Sequence, residues 1–321
     1  MSGNEEENAK DRKACHDGAA GIDRGIDRLE ERRSSKAGKR AAGELRGQRV
    51  RGGAEKVLAR TTSGAIYAIL VLVCIYLGPF ATTLIVAAMA WLCCSEFFRM
   101  ARMTGRMPNE IVGLTAAVIF PLAELFGGHE WVFLAVLLLL GSCAIWYVAT
   151  PRATVSDVAL SVFGPLYTSL MFSCIVLIRQ CDPGYEGALL TVGVMGSVWL
   201  NDATAYFVGS RFGKHKLAPR ISPHKSIEGF WGGLAGGLCV WIIVALLGVR
   251  GIELADAIPI GLLVGVSGVI GDLFESRIKR GVGVKDSGNL MPGHGGMLDR
   301  SDSMLFAGAV AALLLLAEGI I

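Results

Sequence analysis

The sequence predicts an all-α, polytopic integral membrane protein with about nine transmembrane helices. Three observations lead there. Hydrophobic residues make up 52% of the 321 positions and charged residues 18%, and the mean hydropathy of +0.50 lies outside the range of soluble globular domains. From Gly64 onward the chain is a succession of apolar runs, close to the roughly 20 residues that cross about 30 Å of hydrocarbon. The segments between those runs alternate between basic and nearly uncharged, as successive crossings require.

Residues 1–60 are a different material. They hold 15 Lys and Arg against 11 Asp and Glu, are rich in Gly and poor in aromatic side chains, and cannot supply a core. They read as a charged, disordered cytosolic tail, with 61–321 as the membrane-embedded domain. The first apolar run lacks the small-residue cleavage pattern of a signal peptide. Spans are expected near 64–78, 80–98, 111–127, 131–149, 157–178, 187–209, 229–249, 254–274 and 303–321.

The separators set the orientation. The 99–110 stretch has Arg99, Arg102 and Arg106 against Glu110 alone. The 210–227 stretch has Arg211, Lys214, Lys216, Arg220 and Lys225 with no acid, and 275–302 contributes Arg277, Lys279, Arg280, Lys285 and Arg300. The intervening loops are short and nearly free of basic charge. Positive-inside bias therefore places the N-terminus and all three basic segments in the cytosol. Six of the eight cysteines fall inside apolar runs and read as buried thiols, not disulfides or metal ligands. A net charge of +3 gives no reason to expect a nucleic-acid partner. The small-residue run GGLAGG at 232–237 permits close helix packing, including that of a homodimer.

Chemistry concentrates where two spans run into basic loops on the same side. Asp202 precedes the end of its span at Gly209 by two helical turns, roughly 10 Å. A carboxylate at such depth costs about 2.5–3.5 kcal/mol on insertion scales, so it needs a polar cavity, a cation or a hydrogen-bonding neighbour. Asp272 and Glu275 stand one turn apart on the next candidate helix, followed by Ser276 and Lys279. Glu275 and Lys279 also suit a plain i,i+4 ion pair. Asp202 and Asp272, arriving on separate helices, suit a hard divalent cation, which takes oxygen ligands. Around them lie Lys225, Lys279, Arg280, Lys285 and Arg300, with Gly293, Gly295 and Gly296 flanking His294. Cations together with unhindered backbone amides make a phosphate-binding environment. Each cation taken singly is better explained as a topology signal or a lipid-headgroup contact. The acids Asp299 and Asp302 are not, because a loop that only stays inside needs no carboxylates. The sequence contains no P-loop, no G-x-S-x-G and no H-E-x-x-H motif.

The run ESRIKRGVGVKDSGNLMPGHGGMLDRSDS at 275–303 resembles the signature of the phosphatidate cytidylyltransferase (CDP-diacylglycerol synthase) family. Ser276, Lys279, Arg280, Lys285, Asp286, Gly288, Pro292, His294, Gly295, Gly296, Asp299, Arg300 and Asp302 all fall in register. The upstream stretch with Asp202, Ala205-Tyr206, Phe212-Gly213-Lys214, Ser222-Pro223 and Lys225 is similar too. Ala203, Ser226, Ile227, Met291 and Ser301 depart from the family pattern, but none removes a charged group.

The resemblance implies Mg²⁺-dependent transfer of a cytidylyl group from CTP to phosphatidate, with one metal ion or two, in a bacterial inner membrane. It implies Asp202, Asp272 and Asp299 at the metal, and Lys225, Lys285, His294 and Arg300 as the catalytic group. Ser222, Lys279, Arg280, Gly295 and Gly296 would bind substrate, with Lys279 and Arg280 at the phosphatidate headgroup. A CTP-dependent lipid kinase and a membrane transporter remain as rivals. The kinase would release CDP instead of pyrophosphate, and the transporter would place its acids near the bilayer midplane.

Overall fold

The structure, a computed structural model, describes residues 62, 64–290 and 295–321. The expected tail at 1–60 and the candidate His294 lie outside the described residues. The chain runs through α1 (Gly64–Leu77), α2 (Pro79–Met103), α3 (Glu110–Ala149), α4 (Val155–Pro165), a π-helical turn (Leu166–Leu170), α5 (Met171–Gln180) and α6 (Tyr185–Phe212). A two-stranded antiparallel hairpin follows, β1 (Lys216–Ala218) and β2 (Ser222–Ser226), in which Lys216 pairs with Ser226. It leads into α7 (Ile227–Leu246), α8 (Leu254–Val282) and α9 (Leu298–Ala317).

Among the described residues, six helices are long and apolar enough to cross a membrane: α2, α3, the continuous α4–α5 run, α7, α8 and α9. The all-α membrane architecture therefore stands, while the expected count of nine does not follow from it. The expected spans 111–127 and 131–149 both lie on α3, whose 40 residues would run about 60 Å if straight. Gly128 breaks that helix with φ 63° and ψ −161°, a left-handed φ that costs glycine little. The helix expected at 64–78 is short, and in α6 Asn201, Asp202 and several glycines dilute the apolar run.

Local signals mark the helix ends. Pro79 opens α2, Asn109 caps α3 by accepting from the Val112 amide at 3.1 Å, and Ser226 caps α7 by accepting from Gly229 at 3.1 Å. Thr154 and Asp157 form a capping box at α4, and Gly283 ends α8 with φ 83°. The main core joins α2, α5, α6, α8 and α9 through Phe98, Phe172, Leu190, Ile260 and Leu305. A second cluster around Phe120 and Leu139 packs α3 with Val158 and Val162 of α4. Large apolar side chains such as Phe133, Ile145 and Leu313 face outward, as lipid contact requires. The seven described cysteines are all free.

The GGLAGG run is used within the chain. A Cβ on Gly233 would stand 2.9 Å from Asn201 Oδ1 and 3.0 Å from the Ala205 methyl, and one on Gly236 would collide with Thr204. The glycines thus let α7 lie against the polar half of α6. That close seam fixes where Asp202 emerges.

Candidate active site

Three elements converge beside the α6–α7 seam. The second half of α6 brings Asn201 and Asp202, the hairpin brings Lys216 and Lys225, and α8 brings Asp272. All five line one cavity of about 580 Å³, within the range of small-molecule sites. The hairpin is wedged against the helix ends. A Cβ on Gly213 would stand 2.6 Å from Ser226 Oγ, and one on Gly229 would stand 2.8 Å from the Ala205 carbonyl. Glu228 secures the far side by accepting from the backbone amides of Lys214 at 3.1 Å and His215 at 3.2 Å. Lys225 is thereby carried over the cavity on a short, braced strand.

Within the cavity Lys225 Nζ pairs with Asp272 Oδ2 at 2.6 Å, and Ser276 Oγ donates to Asp272 Oδ1 at 3.2 Å. The Asp202 side chain is exposed to the cavity and makes no direct hydrogen bond or ion pair among the described residues, although Lys225 and Arg300 act on it through space. Among the described residues, no three His, Cys, Asp or Glu side chains are grouped as a ready metal cage. Mg²⁺ does not need one. It is commonly held by one or two carboxylates together with waters and substrate phosphates, and two carboxylates on one cavity wall meet that requirement.

The signature segment divides into two sets. Lys285 and Arg300 are exposed, and their side chains have no hydrogen bond or ion pair among the described residues. Arg280 is exposed as well, and donates to the Val284 carbonyl at 3.0 Å. The other set is turned inward. Lys279, expected at the lipid headgroup, is only 8% exposed and forms ion pairs with Glu275 and, at 2.6 Å, with Asp299 Oδ1. The i,i+4 pair foreseen for Glu275 and Lys279 exists, but it is buried and not on the surface. Asp299, expected at the metal, is likewise engaged at both oxygens. Its Oδ2 accepts from the Ser287 amide at 2.8 Å, the Ser287 hydroxyl at 2.9 Å and the Gly296 amide at 2.7 Å. A carboxylate so satisfied holds a loop together, whereas Asp202 and Asp272 are the carboxylates that line the cavity.

Gly295 and Gly296, expected beside substrate phosphates, serve the same frame. Gly295 has φ 84°, and its missing Cβ would stand 2.5 Å from Asp299 Oδ2. A Cβ on Gly296 would collide with Glu96 and Ser287. Ser222 opens β2 opposite Ala218, and the hairpin serine that lines the cavity is Ser226.

Sequence reasoning missed Glu96. This α2 carboxylate is 8% exposed and accepts from the Ser287 hydroxyl at 2.9 Å, the Met297 amide at 3.0 Å and the Leu298 amide at 2.9 Å. The signal was available, because a Glu inside the run AWLCCSEFF carries the same desolvation cost that singled out Asp202.

A multi-pass helical membrane protein that gathers carboxylates, lysines and a glycine-rich segment at one end of its bundle has the parts of a phosphate-handling membrane enzyme. Comparison with known sequences makes this specific. The profile described as the cytidylyltransferase family matches residues 58–317, and the chain belongs to that family. It is 34% identical over 255 residues to the phosphatidate cytidylyltransferase of Bacillus subtilis, covering 77% of this chain and 93% of the relative. It is 31% identical over 263 residues to the enzyme of the same name from Staphylococcus epidermidis, covering 79% and 98% respectively. The namesake from Thermotoga maritima is 37% identical over 177 residues, covering 53% of this chain and 64% of the relative.

Proposed function

We propose that this protein transfers the cytidylyl group of CTP to phosphatidate, forming CDP-diacylglycerol and releasing pyrophosphate. The observation that carries this reading is the convergence of Asp202, Lys225 and Asp272 on one cavity from three separate elements. Family membership and the relatives' names supply the substrate class. In the reaction a phosphate oxygen of phosphatidate bonds to the α-phosphorus of CTP, and the bond from that phosphorus to the bridging oxygen breaks. The electron pair leaves with pyrophosphate. Both reactants are anions, so the protein must first overcome their repulsion. Lys225, Lys285 and Arg300 supply positive charge to the phosphates, and such charge is most valuable where the leaving group develops its own.

Asp202 and Asp272 would hold Mg²⁺, which neutralises phosphate charge and polarises the α-phosphate when bound. The attacking phosphate is already ionised, so no general base is required. We place the cavity and the three basic segments on the cytosolic side of the inner membrane, on the strength of positive-inside bias. Phosphatidate would then reach the site from the bilayer and CTP from the water.

The test is an assay of the purified protein with CTP, phosphatidate and Mg²⁺, following both nucleotide products. Pyrophosphate and CDP-diacylglycerol in equal amounts are expected. Release of CDP would instead assign a lipid kinase, and absence of product above an Asp202→Asn control would overturn the reading.

A further inference from the structure

We infer that Glu96 is a positioning residue for the transfer reaction. From α2 it holds two points of the signature segment, Ser287 and Met297–Leu298, and so sets the placement of the exposed cations Lys285 and Arg300 that the proposed reaction assigns to the phosphates. The inference rests on the cytidylyl-transfer reading for its kinetic consequence, but its geometry stands on its own.

One carboxylate takes three donors from a distant part of the chain. The Ser287 hydroxyl is one anchor point within the segment, and the Met297 and Leu298 amides are the other. Those two amides lie at the N-cap and first residue of α9, whose first-turn N–H groups lack intrahelical acceptors. Glu96 therefore caps α9 from another helix, with its negative charge at the favourable end of the dipole. Arg99, one turn further along α2, donates to the Ser287 carbonyl. Gly288 and Gly296 are small because any Cβ there would strike the Glu96 carboxylate. Ser287 Oγ and its amide also reach Asp299, which connects Glu96 through Lys279 to Glu275. Arg300 follows Asp299 directly, so the register of α9's first turn sets where its guanidinium emerges.

Only a carboxylate suits this position. It presents acceptors alone, whereas a carboxamide would turn an NH₂ toward at least one N–H donor. Glu96→Gln keeps the size and removes that match. In hydrogen-exchange measurements on the full chain in detergent, Glu96→Gln should raise exchange in the peptide holding Met297 and Leu298 while leaving the α6–α7 peptides unchanged. In the transferase assay its kcat should fall about 100-fold with the KM for CTP within about threefold, and adding Ser287→Ala should cost less than the two single effects multiplied.

Unchanged exchange at Met297 and Leu298 would overturn the anchor. A folded variant with wild-type kcat, or effects that simply multiply, would overturn the positioning role. If Glu96→Gln does not fold, Ser287→Ala and Arg99→Gln carry the test. Either should lower kcat selectively, and wild-type kcat in both rejects the inference. A wild-type protein that makes neither pyrophosphate nor CDP refutes the transfer reading alone, since the exchange experiment still decides on the anchor.

Discussion

Lys225 on β2 and Asp272 on α8 meet at 2.6 Å, and their side chains keep 26% and 27% of their exposure. The pair is closed but not sealed. On the proposed reaction, a triphosphate entering the cavity would draw Lys225 away and leave an Asp272 oxygen for a cation. The strand and the helix thus carry opposite charges that neutralise one another.

That arrangement predicts separable effects. Asp272→Asn should lower kcat by about 10²–10³, and Lys225→Met should chiefly raise the KM for CTP, because an unpaired Asp272 then faces the phosphates. The charge swap, Lys225→Asp with Asp272→Lys, should stay inactive although it can rebuild an ion pair. Steady-state kinetics on the three variants check this, and recovery of activity in the swap would make the pair purely structural.

Lys279 sits between Glu275, which is fully buried, and Asp299. Its removal would leave the buried Glu275 without a partner and Asp299 Oδ1 unpaired, at a cost of about 3–5 kcal/mol for a broken buried pair. Lys279→Met should therefore lower the thermal midpoint in detergent markedly. Arg280→Met, altering an exposed neighbour, should leave the midpoint within a few degrees. Equal midpoints for the two variants would return Lys279 to the headgroup role that its sequence position suggested.

The contrast between these neighbours shows what the sequence made legible. Apolar runs announced a membrane protein, because the cost of burying backbone and charge in lipid is written directly into composition. Asp202, Asp272 and Lys225 could be chosen because each interrupts or borders such a run, and all three line the cavity. Inside the signature segment that contrast disappears, since nearly every residue is polar or small. Which of them hold the frame shows only in contacts such as that of Ser287 with Glu96, an acid lying some 190 residues earlier in the chain. The number of spans was obscured for a related reason. A kinked α3 and a diluted α6 depart from the simple rule of one apolar run for each crossing.

The α6–α7 seam yields a third prediction. Gly233 faces Asn201 and Ala205 at distances that leave no room for a side chain. Gly233→Val should cost about 1–3 kcal/mol through overpacking and should also lower kcat per folded molecule, because spreading the seam moves Asp202. Gly281→Ala, where a Cβ would meet nothing, serves as the control. Thermal melting and activity measured on the same preparations decide the matter. A destabilised Gly233→Val with normal kcat would separate the seam from the site.

Asp202 gives the last prediction, on the metal. It is the cavity carboxylate whose side chain makes no direct hydrogen bond or ion pair among the described residues, and it is exposed where α6 departs from the apolar pattern. Lys225 and Arg300 act on this charge only through space, and no cation contacts it directly among the described residues, so a metal ion would supply the direct counterion. Chelation should abolish activity and added Mg²⁺ should restore it. In Asp202→Asn the Mg²⁺ concentration giving half-maximal activity should rise about tenfold or more, since one of two anionic ligands is lost while the phosphates and Asp272 remain. Titrating Mg²⁺ at fixed CTP in both proteins checks this directly. An unshifted midpoint with lowered kcat would move Asp202 from the metal to the substrate, and leave Asp272 as the carboxylate that holds the ion.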